Sequence, residues 1–281
     1  MILKIKKSYF PFSAHTRKLL QNSLAEDIGH GDLTSEVLVS RHASGQAVIT
    51  AREKGIFCGS PVIQELFRLG DSRLSVAFAV KEGRPFRKGQ TVATIKGKVF
   101  SILKVERTAL NFLAHLASIA TMTRAYVEAV KPYGVSILDT RKTTPLWREV
   151  EKYAVKVGGG KNHRMKLDEA IFVKENHRPY GSIAKLREYP GRFEIEVRNM
   201  SEIKQALELV PRIILFDNFT PAQLKKSVQF VRLRRPRCIL EASGGITLEN
   251  VRKYAASGVN WISVGALTHS AVALNFSLAV K

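Results

Sequence analysis

The chain has 281 residues, a net charge of +21 and two cysteines. That length holds one large core or two modest ones, and two isolated cysteines, Cys58 and Cys238, exclude a disulfide framework and a CxxC metal or redox pair. The N-terminal MILKIKKSYF has lysines where a signal peptide needs an apolar centre, and the longest weakly polar run, Leu110 to Met122, is too short to span a bilayer, so a cytoplasmic protein without a membrane partner is expected. The surplus of positive charge points to anionic ligands: phosphate esters, carboxylates or nucleic acid.

In chain order, His15 to Glu26 has helical spacing, with Leu19, Leu20 and Leu24 on one face. The acidic, glycine-punctuated EDIGHGDLT that follows reads as turn chemistry rather than metal binding. Gln46 to Arg52, Gly55 to Gly59 and Leu74 to Val80 read as strands, and Lys81 to Lys98 as strands joined by glycine turns, which predicts an α+β region with a mostly antiparallel sheet. Val99 to Lys131 is helical. Arg107, beside Glu106 and Asn111 on this helix, has the local partners of an ordinary exposed arginine.

From Val135 the pattern alternates. Strand candidates are Val135–Leu138, Ala170–Val173, Phe193–Val197, Ile213–Phe216, Cys238–Glu241 and Trp261–Val264. Amphipathic stretches separate them: Leu146–Val157, Ile183–Glu188, Ser201–Leu209, Pro221–Val231 and Leu248–Ala256. This predicts parallel βα units closing as an incomplete TIM-like barrel of six or seven strands. A doubly wound open sheet is the runner-up, weakened because no GxGxxG opens a helix.

In such barrels chemistry sits where strands end. The ends read Asp139-Thr140-Arg141-Lys142, then Lys174, Glu194 with Glu196, Asp217-Asn218, Glu241 with Ser243-Gly244-Gly245, and Val264-Gly265-Ala266. His163 and Arg164 follow a glycine triplet between the first two strands. The two glycine bends lie one βα unit apart and leave backbone N–H groups free for a phosphate. Glu196 and Asp217 are likewise one unit apart, a pair suited to a hard cation or to sugar hydroxyls. The basic set suits planar carboxylates. Together they suit a phosphorylated sugar joined to a carboxylate-bearing molecule.

DTRKTTP, GGGKNHR, VKENH, EIEV, LFDNF, ASGGI and ISVGALTHS, with ERTALN upstream, resemble the quinolinate phosphoribosyltransferases, the carboxylating nicotinate-nucleotide pyrophosphorylases. The resemblance runs from EDIGHGDLTSE to the end. It implies an N-terminal α/β sandwich (1–110), an incomplete, seven-stranded TIM-like α/β barrel (111–268) and a C-terminal segment (269–281) packing back on the first domain. It implies phosphoribosyl transfer from 5-phosphoribosyl-1-pyrophosphate to quinolinate with loss of CO2 and pyrophosphate, giving nicotinate mononucleotide for de novo NAD synthesis. It further implies a homodimer with shared active sites, or a hexamer. Arg107 (serving the neighbour's pocket), Thr140, Arg141, His163, Arg164 and Lys174 match substrate-binding positions. Lys142, Glu196 and Asp217 match the positions that carry the chemistry, the two acids meeting Mg2+ through water. Ser243, Gly244, Gly245, Val264, Gly265 and Ala266 match those around the 5′-phosphate. Two departures stand out: Leu146-Trp147 where the family usually has glycine after the proline, and Met165-Lys166 where small residues are common. The alternatives are a paralogous phosphoribosyltransferase for another base and, from the charge alone, a nucleic-acid-binding protein.

Overall fold

The computed structural model describes residues 12–281; MILKIKKSYF lies outside them. The chain forms two compact units. One holds residues up to Met122 with Thr143–Gly159 and Ser270–Lys281, the other Thr123–Lys142 with Gly160–His269.

In the first unit, helix α1 (Ala14–Ile28) is capped by Ser13, whose hydroxyl accepts the Thr16 N–H. A short helix the sequence reading did not separate, α2 (Leu33–Leu38), starts at Asp32, whose carboxylate accepts the Ser35 N–H at 3.0 Å. The acidic loop thus serves as a helix cap. Strands β1 (Ser44–Ala51), β2 (Gly55–Ile56), β3 (Ser75–Phe78), β4 (Pro85–Phe86) and β5 (Thr91–Lys98) follow, with helix α3 (Ser60–Gly70) between β2 and β3. The main sheet is antiparallel, in the order last strand (Phe276–Val280), β1, β5, β3, and β2 pairs with β4. Helix α3 was not anticipated either. Its buried Glu65 is held by Arg68, at 2.6 and 2.7 Å, and by Arg17 of α1 at 2.9 Å. Burial pushes this carboxyl up, but the two guanidinium groups outweigh it and hold it below the usual range.

Helix α4 (Val99–Val130) runs from the first unit into the second. Helix α5 (Arg148–Gly158), which the sequence pattern places among the barrel crossovers, belongs to the first unit. Just before it Leu146 has φ 69°, the left-handed region that glycine enters freely. Its neighbour Trp147 stacks on Phe112 with ring centroids 4.2 Å apart and 5° between planes, and meets His115 edge-on at 5.4 Å.

The second unit carries strands β6 (Ser136–Leu138), β7 (Ile171–Val173), β8 (Phe193–Val197), β9 (Ile213–Asp217), β10 (Ile239–Ser243) and β11 (Trp261–Ser263), all at the predicted places. The sheet order is β6, β11, β10, β9, β8, β7, with every pair parallel. The last strand therefore pairs with the first, which is barrel topology and removes the open doubly wound sheet. The expected seventh strand is a correction: among the described residues the sheet has six. In its place a single residue, Lys161, bridges Leu138 on the free side of β6 through hydrogen bonds of 2.8 and 3.2 Å. Between β7 and β9 lie the 3-10 turns Glu175–Tyr180 and Ile183–Glu188 and helix α6 (Met200–Glu208), and α7 (Pro221–Arg234), α8 (Val251–Ala255) and α9 (Ala266–His269) follow. All five residues of β8 are buried, as a strand covered on both faces should be, yet two of them are glutamates. No helix among the described residues is long and apolar enough to cross a membrane.

Because Leu146 is 64% exposed, Leu146→Gly removes little buried surface while relieving the backbone. The variant is expected to be more stable by about 0.5–1 kcal/mol, read as a higher urea midpoint with unchanged slope. A lower midpoint contradicts the strain.

Candidate active site

Strand register sets the site. Val173 pairs with Ile195, so the next residues out, Lys174 and Glu196, lie side by side. Lys174 Nζ is 3.0 Å from Glu196 Oε2. Ser243 pairs with Asp217, and Ser263 with Leu138. The polar ends of six strands thus finish around one opening. A cavity of about 550 Å3 lies there, a size typical of small-molecule sites.

Every sequence-predicted site residue except Arg107 lines this cavity. Arg107 is exposed on α4, in the first unit. The lining also includes residues the sequence reading did not assign to the site: Phe172, Leu215, Glu241, Ile246, Thr247, Ser263 and His269. Phe172 is the floor under the cations. Arg164 Cζ lies 5.2 Å and Lys174 Nζ 5.1 Å from its ring centroid, cation–π distances. Alternation along β7 could have exposed this residue, since its neighbours Ile171 and Val173 point the other way.

The cationic side is crowded. Burial, then the charge of Arg141, lowers the pKa of Arg164 from its usual value, and Glu194 opposes this. Arg164 Nη1 also donates to the Ala170 carbonyl at 2.8 Å, which aims the guanidinium. His163 is tightly fixed: its amide donates to Asp139 at 2.9 Å, Nε2 lies 2.9 Å from Glu194, and Nδ1 receives the Arg164 N–H at 2.9 Å. Lys142 is held through its backbone. Its N–H donates to the Thr140 hydroxyl at 3.0 Å, and its carbonyl accepts from Thr268 at 2.7 Å.

The acidic side is equally ordered. Burial, then the charge of Glu196, pushes Asp217 above the usual carboxylate range, while Lys174 and the Asn218 amide pull it down. Asn218 Nδ2 donates to Asp217 at 2.8 Å. Asn218 is itself left-handed, with φ 58°, and its N–H reaches the Ser243 carbonyl at 2.9 Å. Gly244, at φ 95°, packs against it so closely that a Cβ there would sit 2.2 Å from Asn218 Oδ1. The DN and SGG bends are therefore one interlocked piece. On the other bend, a Cβ on Gly265 would meet Lys142 Cδ and His269 Nε2 at 3.1 Å. Bare backbone next to a cationic side chain suits an anion.

The sequence agrees with this chemistry. Residues 32–117 match the model of the N-terminal domain, and 119–279 that of the C-terminal domain, of quinolinate phosphoribosyl transferase. A probable carboxylating nicotinate-nucleotide pyrophosphorylase of Synechocystis sp. is 41% identical over 255 residues, covering 88% of this chain and 86% of that one. The carboxylating nicotinate-nucleotide pyrophosphorylase of Mycobacterium leprae is 37% identical, covering 93% and 96%. The solved nicotinate-nucleotide pyrophosphorylase of Francisella tularensis superposes with a TM-score of 0.88 at 33% identity, over 96% of this chain and 98% of that chain. With both of its domains matched and its parallel sheet ending in these bends, the chain belongs to the quinolinate phosphoribosyltransferase family.

Proposed function

We infer that this protein joins quinolinate to 5-phosphoribosyl-1-pyrophosphate, releasing CO2 and pyrophosphate and giving nicotinate mononucleotide for de novo NAD synthesis. The observation that carries the reading is one cavity holding Arg141, Arg164 and Lys174 together with Glu196, Asp217 and two glycine bends. Quinolinate bears adjacent carboxylates that repel each other, and a cluster of fixed cations offsets that repulsion. Arg141, Arg164 and Lys174 receive the acid's carboxylates with the His163 ring beside them, and Arg107 reaches the neighbouring subunit's pocket in a homodimer. Ser243, Gly244, Gly245, Val264, Gly265 and Ala266 receive the 5′-phosphate. The protein works in the cytoplasm.

As the bond from ribose C1 to pyrophosphate breaks, positive charge grows on the ribose and negative charge leaves on the pyrophosphate. Lys142 meets the leaving charge. Glu196 and Asp217 hold ribose hydroxyls and favour the positive carbon. The same two carboxylates fit Mg2+, because they are hard oxygen donors and the charge of Glu196 raises the cost of charge on Asp217. Mg2+ would be held there through water and would offset charge on the pyrophosphate. Once the ring nitrogen is bonded to ribose, its positive charge stabilises the electron pair left when CO2 departs. Positioning and electrostatics supply the rate.

A paralogue acting on another base would not need so many cations for a monocarboxylate. A nucleic-acid binder would leave the carboxylate pair and the glycine bends without use.

Steady-state assay should show quinolinate turned over and nicotinate at least about a hundredfold worse in kcat/KM, with activity lost in chelator and restored by Mg2+; equal turnover of nicotinate removes the dicarboxylate assignment. Gly244→Ala should lower kcat/KM for the pyrophosphorylated ribose by more than about tenfold and cost about 1–3 kcal/mol of stability, with a smaller effect on the KM for quinolinate. Inactive Arg107→Ala and Lys174→Ala proteins, mixed and allowed to exchange subunits, should regain roughly a quarter of the wild-type rate. No recovery after proven exchange argues against a shared site.

A further inference from the structure

Two buried acids beside His163 are left unused by these roles. A ring nitrogen of His163 and a carboxylate oxygen each from Glu194 and Glu241 lie within 4.8 Å of one another. Both glutamates are buried, at 4% and 0% exposure. Glu194 Oε2 meets His163 Nε2, and Glu241 Oε1 accepts from the Ser263 hydroxyl. Their other oxygens, Glu194 Oε1 and Glu241 Oε2, are buried without a hydrogen-bond partner among the described residues. Two carboxylates so close in a buried place repel, and each loses its hydration.

Either a metal ion or a proton resolves this, and His163 decides between them. The Arg164 N–H points at Nδ1 at 2.9 Å, so Nδ1 is the acceptor and Nε2 carries the ring proton. An Nε2–H nitrogen has no lone pair for a metal; it donates to Glu194. A proton on one of the two carboxyls lets that group donate to the other. Glu241 is the group that keeps it. No ion pair holds it among the described residues, and burial, then the charge of Glu194, pushes its carboxyl up to about 8.

We propose that Glu241 is a positioning residue for quinolinate: its neutral carboxyl donates a hydrogen bond to Glu194 Oε1, which fixes the His163 ring and, through Nδ1, the backbone of Arg164. Glu241 acts at one remove, along the chain Ser263, Glu241, Glu194, His163, Arg164. The functional part of the proposal rests on the assignment of Arg164 to the acid's carboxylates.

The test compares Glu241→Gln, which keeps a neutral donor of similar shape, with Glu241→Leu, which has none. The first reading is the nitrogen spectrum of ligand-free, histidine-labelled protein, with the His163 signal assigned by its loss in His163→Asn. The second is KM for each substrate. E241Q should keep the Nε2–H form of His163 and a quinolinate KM within about threefold of wild type. E241L should lose the single ring form and raise the quinolinate KM about tenfold or more, with the KM for the pyrophosphorylated ribose changed less than about threefold. An unchanged His163 signal in E241L overturns the proposal. So does loss of the Nε2–H form in E241Q, which stands as a test even if E241L fails to fold. Stoichiometric metal in the wild-type protein that is absent from E241Q also overturns it. If the wild-type protein does not use quinolinate, the functional reading falls, and the ring spectra still decide the hydrogen-bond chain.

Discussion

The site depends on one constraint: β8 is covered on both faces, yet carries glutamates at two of its five positions. A buried carboxylate must find a partner or lose its charge. Glu196 finds Lys174, delivered to its side by the parallel register with β7. Glu194 finds His163, delivered by the loop that follows the Lys161 bridge. Each acid thus fixes one cation or ring beside it, and the cationic side chains of the cavity are oriented by acids. Where an apolar residue replaced either acid, the partner would lose its anchor and the cations would repel with nothing between them.

Backbone shape is the second constraint. Asn218 occupies the left-handed region, which asparagine tolerates because its short amide bonds locally. Its backbone lies against Gly244, and that contact leaves no room for a side chain. The carboxylate of Asp217 and the bend after β10 are therefore set by the same few atoms. The acid proposed to face ribose and the bend proposed to face phosphate then keep a fixed spacing, as a ligand with both groups at fixed distance requires.

Much of this was legible because barrel strands end where their chemistry begins. DTRK, EIEV, FDN and SGG each announce a short apolar run followed by charge or glycine, and the six strands fall where those runs fall. Less was legible where one residue does the work of an element. Lys161 makes a bridge without a strand, so no periodicity marks it. Helix α3 was hidden because Val62, Ile63, Leu66 and Phe67 come in adjacent pairs that also suit a buried strand; Pro61 in its first turn was the available signal. Helix α2 has six residues, too few to show a repeat. Glu241 was visible as a strand end, but its link to Glu194 reaches across β9, and only the curvature of the sheet brings the two side chains together.

The two departures from the family pattern can be placed by the same reasoning. Leu146 and Trp147 do not line the cavity, nor do Met165 and Lys166. Trp147 lies flat on Phe112, and the Thr144 N–H donates to buried Glu151 at 3.1 Å, with Glu151 also bonded to His115. These contacts hold both sides of Leu146, so its unfavourable φ is imposed by better-anchored neighbours. At the second departure, the Met165 N–H closes on Glu169 at 2.6 Å, and Arg164 caps the Ala170 carbonyl. The loop there is tied at both ends. Neither departure adds a side chain to the cavity lining, so both bear on loop motion before they bear on substrate choice.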